Sequence, residues 1–349
     1  MVKDRIKRQE KYAAPLEGRS DSNCVLLDFN ERTSTPSKEV FDALTKFLNQ
    51  KKLQVYPEYN DLYSKIADYN SLDSNQICVT NGSNQAIDIF FRINCSEGEK
   101  VIINQPSFAM LSHYPKVQGL EIISPSITDD YNYPYDEVKE ILANQDISAV
   151  SICTPESPTG KELSIEKIEL FLKENPKTAF LIDECYYEYT DTTCKELIKK
   201  YDNIFISRSF SKAWGLASLR IGYMISSKNN INEMKKAVSP YDVNKLAAVA
   251  ASAALSNREY MLKYVAQVNL TSKPKLEKFL EEKKIEFIKS SANFILCFFN
   301  DSEKVSKKLK QKGILVRLRN GPKIENTLRI SIGTEKDTDT LINALQEIL

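Results

Sequence analysis

Histidine is almost missing from this chain. Its 349 residues contain one, His113, in a helical stretch five residues past Phe108. It reads as a structural or surface residue, so the chemistry is not expected to rest on histidine. No C-x-x-C pair occurs among the seven scattered cysteines, Cys24, Cys78, Cys95, Cys153, Cys185, Cys194 and Cys297. That spacing, and the odd number, argue against a zinc site or a disulfide framework and fit a reducing compartment. No metal is expected. The first residues, Met1 to Lys11, are charged and lack the apolar core of a signal peptide. The longest small and apolar stretch, Leu246 to Leu255, is far short of a membrane span. Net charge is also lacking: 48 Lys and Arg against 47 Asp and Glu leave +1. No general attraction to nucleic acid or to an anionic membrane follows. Internal repeats, low-complexity tracts and long linkers are absent. A cytoplasmic protein is expected, with neither nucleic acid nor membrane as partner.

What is present is a globular composition, 42% hydrophobic and 27% charged, in a chain long enough for two domains. Ser37 to Gln50 has helical spacing with Val40, Leu44 and Leu48 on one face, and a second helical pattern runs through Leu62, Ile66 and Tyr69. From residue 77 short apolar runs alternate with helical stretches. The runs are 77–80, 101–103, 121–123, 149–153, 179–182, 203–207 and 221–225; the helical stretches include 84–92, 135–143, 165–175 and 193–200. Several runs are apolar at consecutive positions, as in strands buried on both faces. The pattern predicts an α/β protein with a mostly parallel sheet between helices. Ligands of such sheets sit at the carboxyl ends of the strands. After about residue 228 the pattern is helical. An Ala-rich helix at 245–256 and a long amphipathic stretch to 284 lead to strands at 294–299, 314–317 and 328–332, which make a smaller α+β domain. The expected division is an N-terminal segment 1–34 packed on the small domain, a large domain 35–235 and a small domain 236–349.

Four features fall at predicted strand ends. Ser207-Arg-Ser-Phe-Ser-Lys-Ala-Trp-Gly215 holds Lys212, whose amine can condense with an aldehyde cofactor. The hydroxyls of Ser209 and Ser211 and the guanidinium of Arg220 suit a phosphate. Thr80-Asn-Gly-Ser-Asn-Gln85 is a strand-to-helix turn, where the amides of Gly82, Ser83 and Asn84 would favour an anion; an ordinary capped helix reads the same way. Asp183 follows a buried strand and needs a partner, which could be a protonated ring nitrogen, a helix end or an arginine. Thr154-Pro-Glu-Ser-Pro-Thr-Gly160 is a two-proline turn that, by its residues alone, is a loop.

Taken together, and with Tyr12-Ala-Ala-Pro-Leu-Glu-Gly-Arg19, Leu27-Asp-Phe-Asn-Glu31, Tyr56-Pro-Glu-Tyr59, Pro106-Ser-Phe-Ala-Met110, Leu219-Arg-Ile-Gly222 and Leu328-Arg-Ile-Ser-Ile-Gly-Thr334, these strings resemble the fold-type I enzymes that use pyridoxal 5′-phosphate. The resemblance spans nearly the whole chain and is nearest to the histidinol-phosphate aminotransferase branch. It implies that Lys212 forms a Schiff base with the cofactor, that Asp183 holds the pyridine nitrogen protonated and that Tyr186 bonds the ring oxygen. Phe108 would stack on the ring. Gly82, Ser83, Asn84, Ser209, Ser211 and Arg220 would hold the phosphate. Tyr56 matches a tyrosine that reaches the phosphate from a partner subunit, which implies a homodimer. Arg329 matches the arginine for the substrate's anionic group, and Tyr12, Asn30 and Arg317 resemble other substrate-side positions. The turn departs from the family's Asn-Pro-Asn-Asn-Pro-Thr-Gly: Ser157 replaces the asparagine that donates to the ring oxygen. A serine is shorter and reaches through a bridging water, and losing one direct hydrogen bond is worth roughly 0.5–1.5 kcal/mol.

The activity implied is transfer of an amino group, from glutamate, to a small phosphorylated ketone such as imidazole acetol phosphate or dihydroxyacetone phosphate. The resemblance leaves open a decarboxylase of a phosphorylated amino acid such as phosphoserine or phosphothreonine. More remotely it leaves open a non-catalytic cofactor-sensing domain of a regulator.

Overall fold

The computed structural model of the chain describes every residue except 14, 17, 18 and 20–22. Ala14, Glu17 and Gly18 of the Tyr12–Arg19 string therefore lie outside the described residues. The first strand, β1 (Val25–Leu27), stands apart from the seven that follow. These are β2 (Ile77–Thr80), β3 (Lys100–Ile103), β4 (Glu121–Ile123), β5 (Ala149–Cys153), β6 (Ala179–Asp183), β7 (Ile204–Ser209) and β8 (Gly222–Ile225). They form one sheet in the order β2-β8-β7-β6-β5-β3-β4. Strands β7, β6, β5, β3 and β4 run parallel, and β8 is antiparallel to both of its neighbours.

Every residue of β5, β6 and β7 is buried, which accounts for their consecutive apolar runs. On one face Cys78, Val101, Ala149, Leu181 and Phe205 meet Ile87, Phe90 and Phe91 of helix Gly82–Asn94 and Met234 of helix Lys228–Ala237. On the other, Val79, Ile102, Val150, Phe180 and Ile206 meet Val138 of helix Tyr135–Asn144 and Phe171 of helix Ile165–Glu174. Each fully buried phenylalanine contributes about 1.5–3 kcal/mol.

The remaining strands are β9 (Glu286–Ile288), β10 (Phe294–Phe298), β11 (Ile314–Arg319) and β12 (Thr327–Ser331). With β1 they form a second sheet in the order β1-β11-β12-β10-β9. β1 lies parallel to β11, with Leu27 opposite Val316, so residues just after it enter beside the second sheet.

Three details differ from the sequence reading. Leu48 is exposed, and the inward face of helix Lys38–Asn49 ends instead on Phe47, one position earlier. The segment expected as a helix at 193–200 is a 3-10 turn, Lys195–Lys199. The long amphipathic stretch is two helices, Arg258–Gln267 and Lys273–Glu282, separated by a π turn at Val268–Ser272 just before Pro274, whose missing N–H suits a helix start. Helix Lys245–Ser256 packs on helices Lys38–Asn49 and Asn60–Asn70. No helix among the described residues is long and apolar enough to cross a membrane.

Candidate active site

β6 and β7 are paired in parallel, with Asp183 opposite Ser207. The chain leaves β7 at Ser209, forms the loop that carries Lys212, and returns antiparallel as β8 with Gly222 opposite Ser209. Asp183, Lys212 and Tyr186 thereby line one cavity of about 440 Å³. Asp183 is buried and accepts a hydrogen bond from Ser207 Oγ at 2.8 Å. Desolvation raises its pKa, opposed by its hydrogen bonds to Cys185 and Ser207 and by the Lys212 charge. No cationic side chain forms an ion pair with it among the described residues. Lys212 Nζ donates to the carbonyl oxygen of Phe29 at 2.8 Å. Desolvation first, then the Arg329 charge, push its ammonium down to about 8. Tyr186 Oη accepts from Asn30 Nδ2 at 2.9 Å, which leaves its own hydrogen free to donate.

One end of the cavity is built for an anion. Helix Gly82–Asn94 starts there, no side chain caps it, and Ser83 and Asn84 line the cavity. Open amides at a helix N-terminus favour negative charge. Ser209, Ser211 and Arg220 face the same space, and Arg220 Nη1 donates to Ser211 Oγ at 3.3 Å. Gly82 is not itself in the lining. It has φ +72°, and a Cβ there would stand 2.6 Å from Arg220 Nη2, so glycine lets the guanidinium lie over the helix end. Gly222 does the same for backbone, since its Cβ would meet Arg208 O at 2.6 Å and Ser83 N at 2.7 Å. Phe108 closes another wall, directly before helix Ala109–Gln118.

The substrate-side candidates cluster beside this cavity rather than in its wall. Arg329 on β12 is buried; its Nη2 donates to Asp28 O at 2.8 Å and its Nη1 to Ser157 Oγ at 3.1 Å, while its Nε has no partner. Desolvation, with the charges of Arg319 and Arg317, pushes it down to about 10. Arg317 lies opposite Arg329 across β11 and β12, its guanidinium 5.1 Å from the centre of the Phe29 ring. Arg319, two residues on and on the same side of the strand, also has a buried, unpaired Nε. None of the three forms an ion pair with a carboxylate among the described residues. Tyr12 is exposed near Arg319 and Arg329. Asn30 commits its amide to Tyr186 and accepts from Ser331 Oγ at 3.0 Å.

Ser157 requires a correction. It is not in the cavity lining, and its hydroxyl accepts from Arg329. The side chain is short and its backbone N–H is tied to Glu156 Oε1 at 2.8 Å, which turns the hydroxyl toward β12. Tyr56 is also outside this chain's cavity; it is exposed and stacks on Tyr241 at 4.2 Å. Sequence reasoning missed Cys153 and Cys185 in the lining, Arg319 beside Arg329, and Glu156. The alternation Arg317-x-Arg319 on a strand was the available signal for Arg319.

Beneath the floor, Arg208 and Glu184 form a fully buried pair at 2.7 Å, and Trp214 of the lysine loop donates to Glu188 Oε1 at 2.8 Å. A larger groove of about 1110 Å³ lies between helix Asn60–Asn70 and residues 238–243, but it is open and holds none of these groups. The described residues contain no group of three or more His, Cys, Asp or Glu placed to hold a metal ion.

Residues 22–345 match the family model described as aminotransferase class I and II. The dihydroxyacetone phosphate transaminase of Campylobacter jejuni is 33% identical over 335 residues, which cover 94% of this chain and 91% of that protein. The histidinol-phosphate aminotransferase of Caldanaerobacter subterraneus is 32% identical over 329 residues, 93% of this chain and 92% of that protein. Among solved structures, the histidinol-phosphate aminotransferase of Sinorhizobium meliloti in complex with pyridoxal 5′-phosphate superposes with a TM-score of 0.91. That match covers 99% of this chain and 97% of the other at 19% identity, a likeness of fold.

Proposed function

This chain belongs to the class I and II aminotransferases, and we propose that it moves an amino group from an amino acid, glutamate in this reading, to a small ketone that carries a phosphate. Its cofactor is pyridoxal 5′-phosphate, and the residues present fit that group. A buried carboxyl without an ion pair, Asp183, suits a protonated ring nitrogen. The uncapped helix end with Ser83, Asn84, Ser209, Ser211 and Arg220 suits the phosphate. Phe108 would lie against the ring, and the free hydrogen of Tyr186 suits its oxygen.

When bound, the cofactor supplies the carbonyl that takes up the amino group and a ring that accepts electron density from the substrate carbon. The chain's own residues do the rest. Lys212 supplies the amine that tethers the cofactor. Once displaced by the incoming amine, its Nζ takes the proton from the substrate carbon and later returns it. A lysine lowered to about 8 can hold or release that proton near neutral pH. Arg329, with Arg317 and Arg319, holds the anionic group and so fixes which carbon meets Lys212.

The observation that carries the phosphorylated ketone is this arginine trio. Three neighbouring guanidiniums without a carboxylate are an unbalanced positive charge, and two of them bury an unpaired Nε. A phosphate dianion answers both deficits. The two relatives are named for dihydroxyacetone phosphate and for histidinol phosphate, both small phosphate esters. We also read the chain as a homodimer, in which the exposed Tyr56 serves the partner's phosphate site.

The test is a half-reaction screen. Pyridoxamine-form enzyme is mixed with dihydroxyacetone phosphate, imidazole acetol phosphate and unphosphorylated dihydroxyacetone, and the cofactor absorbance is followed. A phosphorylated ketone should react at least tenfold more efficiently than dihydroxyacetone. Arg329→Gln or Arg319→Gln should erase about one to two orders of magnitude in kcat/KM, the worth of a charge-assisted bond of roughly 1.5–3 kcal/mol. Silence with every ketone, combined with carbon dioxide release from phosphoserine, would overturn the reading.

A further inference from the structure

The turn Thr154–Gly160 carries one buried acid that the proposed reaction does not use. Glu156 is 5% exposed and pairs with no lysine, arginine or histidine among the described residues. It is held by three hydrogen bonds. Its Oε1 accepts from Ser107 Oγ and from Ser157 N, each at 2.8 Å, and its Oε2 accepts from Asn104 Nδ2 at 2.8 Å. Both loops it joins reach the site. Ser107 precedes Phe108, which walls the cavity, and Ser157 accepts from Arg329.

We propose that Glu156 is a positioning residue: its carboxyl fastens the 154–160 turn to the 104–108 loop, setting Ser157 against Arg329 on one side and the Phe108 backbone on the other. The proposal rests on the reading of Arg329 as the residue that binds the substrate's anion. The chemistry favours a glutamate here. The two oxygens of a carboxyl, charged or neutral, have lone pairs for all three donors at once, whereas a shorter or apolar side chain leaves Ser107, Asn104 and the Ser157 amide without it. Glutamine can keep the arrangement. Its oxygen can take Ser107 and Ser157, and its amide can meet Asn104 Oδ1, which is buried without a partner, once the Asn104 side chain turns over.

The acids that face Glu156 are Asp183, Cys153 and Tyr133, with no base among them. Desolvation raises its carboxyl from 4.5 to about 8 against the pull of its donors, and Asp183 adds to the rise. Between about 4.5 and 8 the folded protein keeps a proton that the unfolded chain has lost. This residue's contribution to stability therefore declines as pH rises through that window and is level above it.

The experiment compares Glu156→Ala and Glu156→Gln with the native protein, each loaded with pyridoxamine phosphate. Inorganic phosphate binding is read by calorimetry and unfolding is followed from pH 5 to 8.5. The alanine variant should bind phosphate about tenfold more weakly, and the glutamine variant should stay within about threefold of native. Relative to native, the glutamine variant should gain stability steadily up to about pH 8. Native-like phosphate binding by the alanine variant would overturn the proposal, and so would a glutamine variant as impaired as alanine or a stability difference that ignores pH. Neither readout needs turnover. If no phosphorylated ketone reacts but the phosphate ratios hold, the substrate reading falls and the positioning role stands. A native protein that binds no phosphate would overturn the positioning role through Arg329.

Discussion

Lys212 Nζ has a backbone carbonyl for its hydrogen bond, that of Phe29, and among its charged neighbours Arg329 and Arg220 oppose its ammonium while Glu31 favours it. Both desolvation and those arginines disfavour the ammonium. With the pKa near 8, about a tenth of the amine is unprotonated at pH 7, against about one part in three thousand for an ordinary lysine. Since only the unprotonated amine attacks, capture of pyridoxal phosphate by the cofactor-free protein should accelerate with pH and level off above about 8. Stopped-flow absorbance would read it; a midpoint near 10.5 would mean that Lys212 is not desolvated. The neighbouring residues show what a sequence withholds at this scale. Lys212, Asp183 and Tyr186 were legible because each sits in a string with its strand. The hydroxyl of Ser157 was not, because its direction is decided by Glu156 on one side and by Arg329, 172 residues away, on the other.

At the scale of elements, the strands of the large sheet were readable because burial on both faces writes an unbroken apolar run, as in Phe180-Leu-Ile182. Strand β9 left no such trace: its three residues grade from exposed to buried. Nor did the pairing of β1 with β11, which joins residues some 289 positions apart. The helix at Gly82 and strand β8 form the element pair on which phosphate binding depends in the proposed function. Gly222 brings β8 against the first amides of that helix, and its would-be Cβ meets backbone on both sides, which cannot swing away. Gly222→Ala should therefore push the helix end off the cavity. Cofactor affinity, measured by fluorescence titration, should fall at least tenfold; unchanged affinity would show that the helix end does not hold the phosphate.

Across the whole molecule, the site draws on both sheets. β6 and β7 supply Asp183 and the lysine loop, β12 supplies Arg329, and the segment after β1 brings Phe29 and Asn30 between them. Because helix Lys245–Ser256 packs on helices Lys38–Asn49 and Asn60–Asn70, we propose that it belongs with the large domain, which would put the boundary after residue 256 where the sequence reading expected it at 236. The dimer reading makes a prediction of its own. Lys212→Ala and Tyr56→Phe chains, mixed and reassociated, should regain one intact site per mixed dimer and with it native cofactor affinity at that site. If Tyr56 served its own chain, no site in the mixture would be intact and the affinity would stay low.

The central claim is that one amine, Lys212, tethers the cofactor in the cavity between Asp183 and the helix end at Gly82. Borohydride reduction of the cofactor-loaded protein, followed by digestion and peptide mass mapping, tests it most directly. The added cofactor mass should appear on the peptide containing Lys212 and be lost in Lys212→Ala. Stoichiometric label on any other lysine, or none on Lys212, would contradict it.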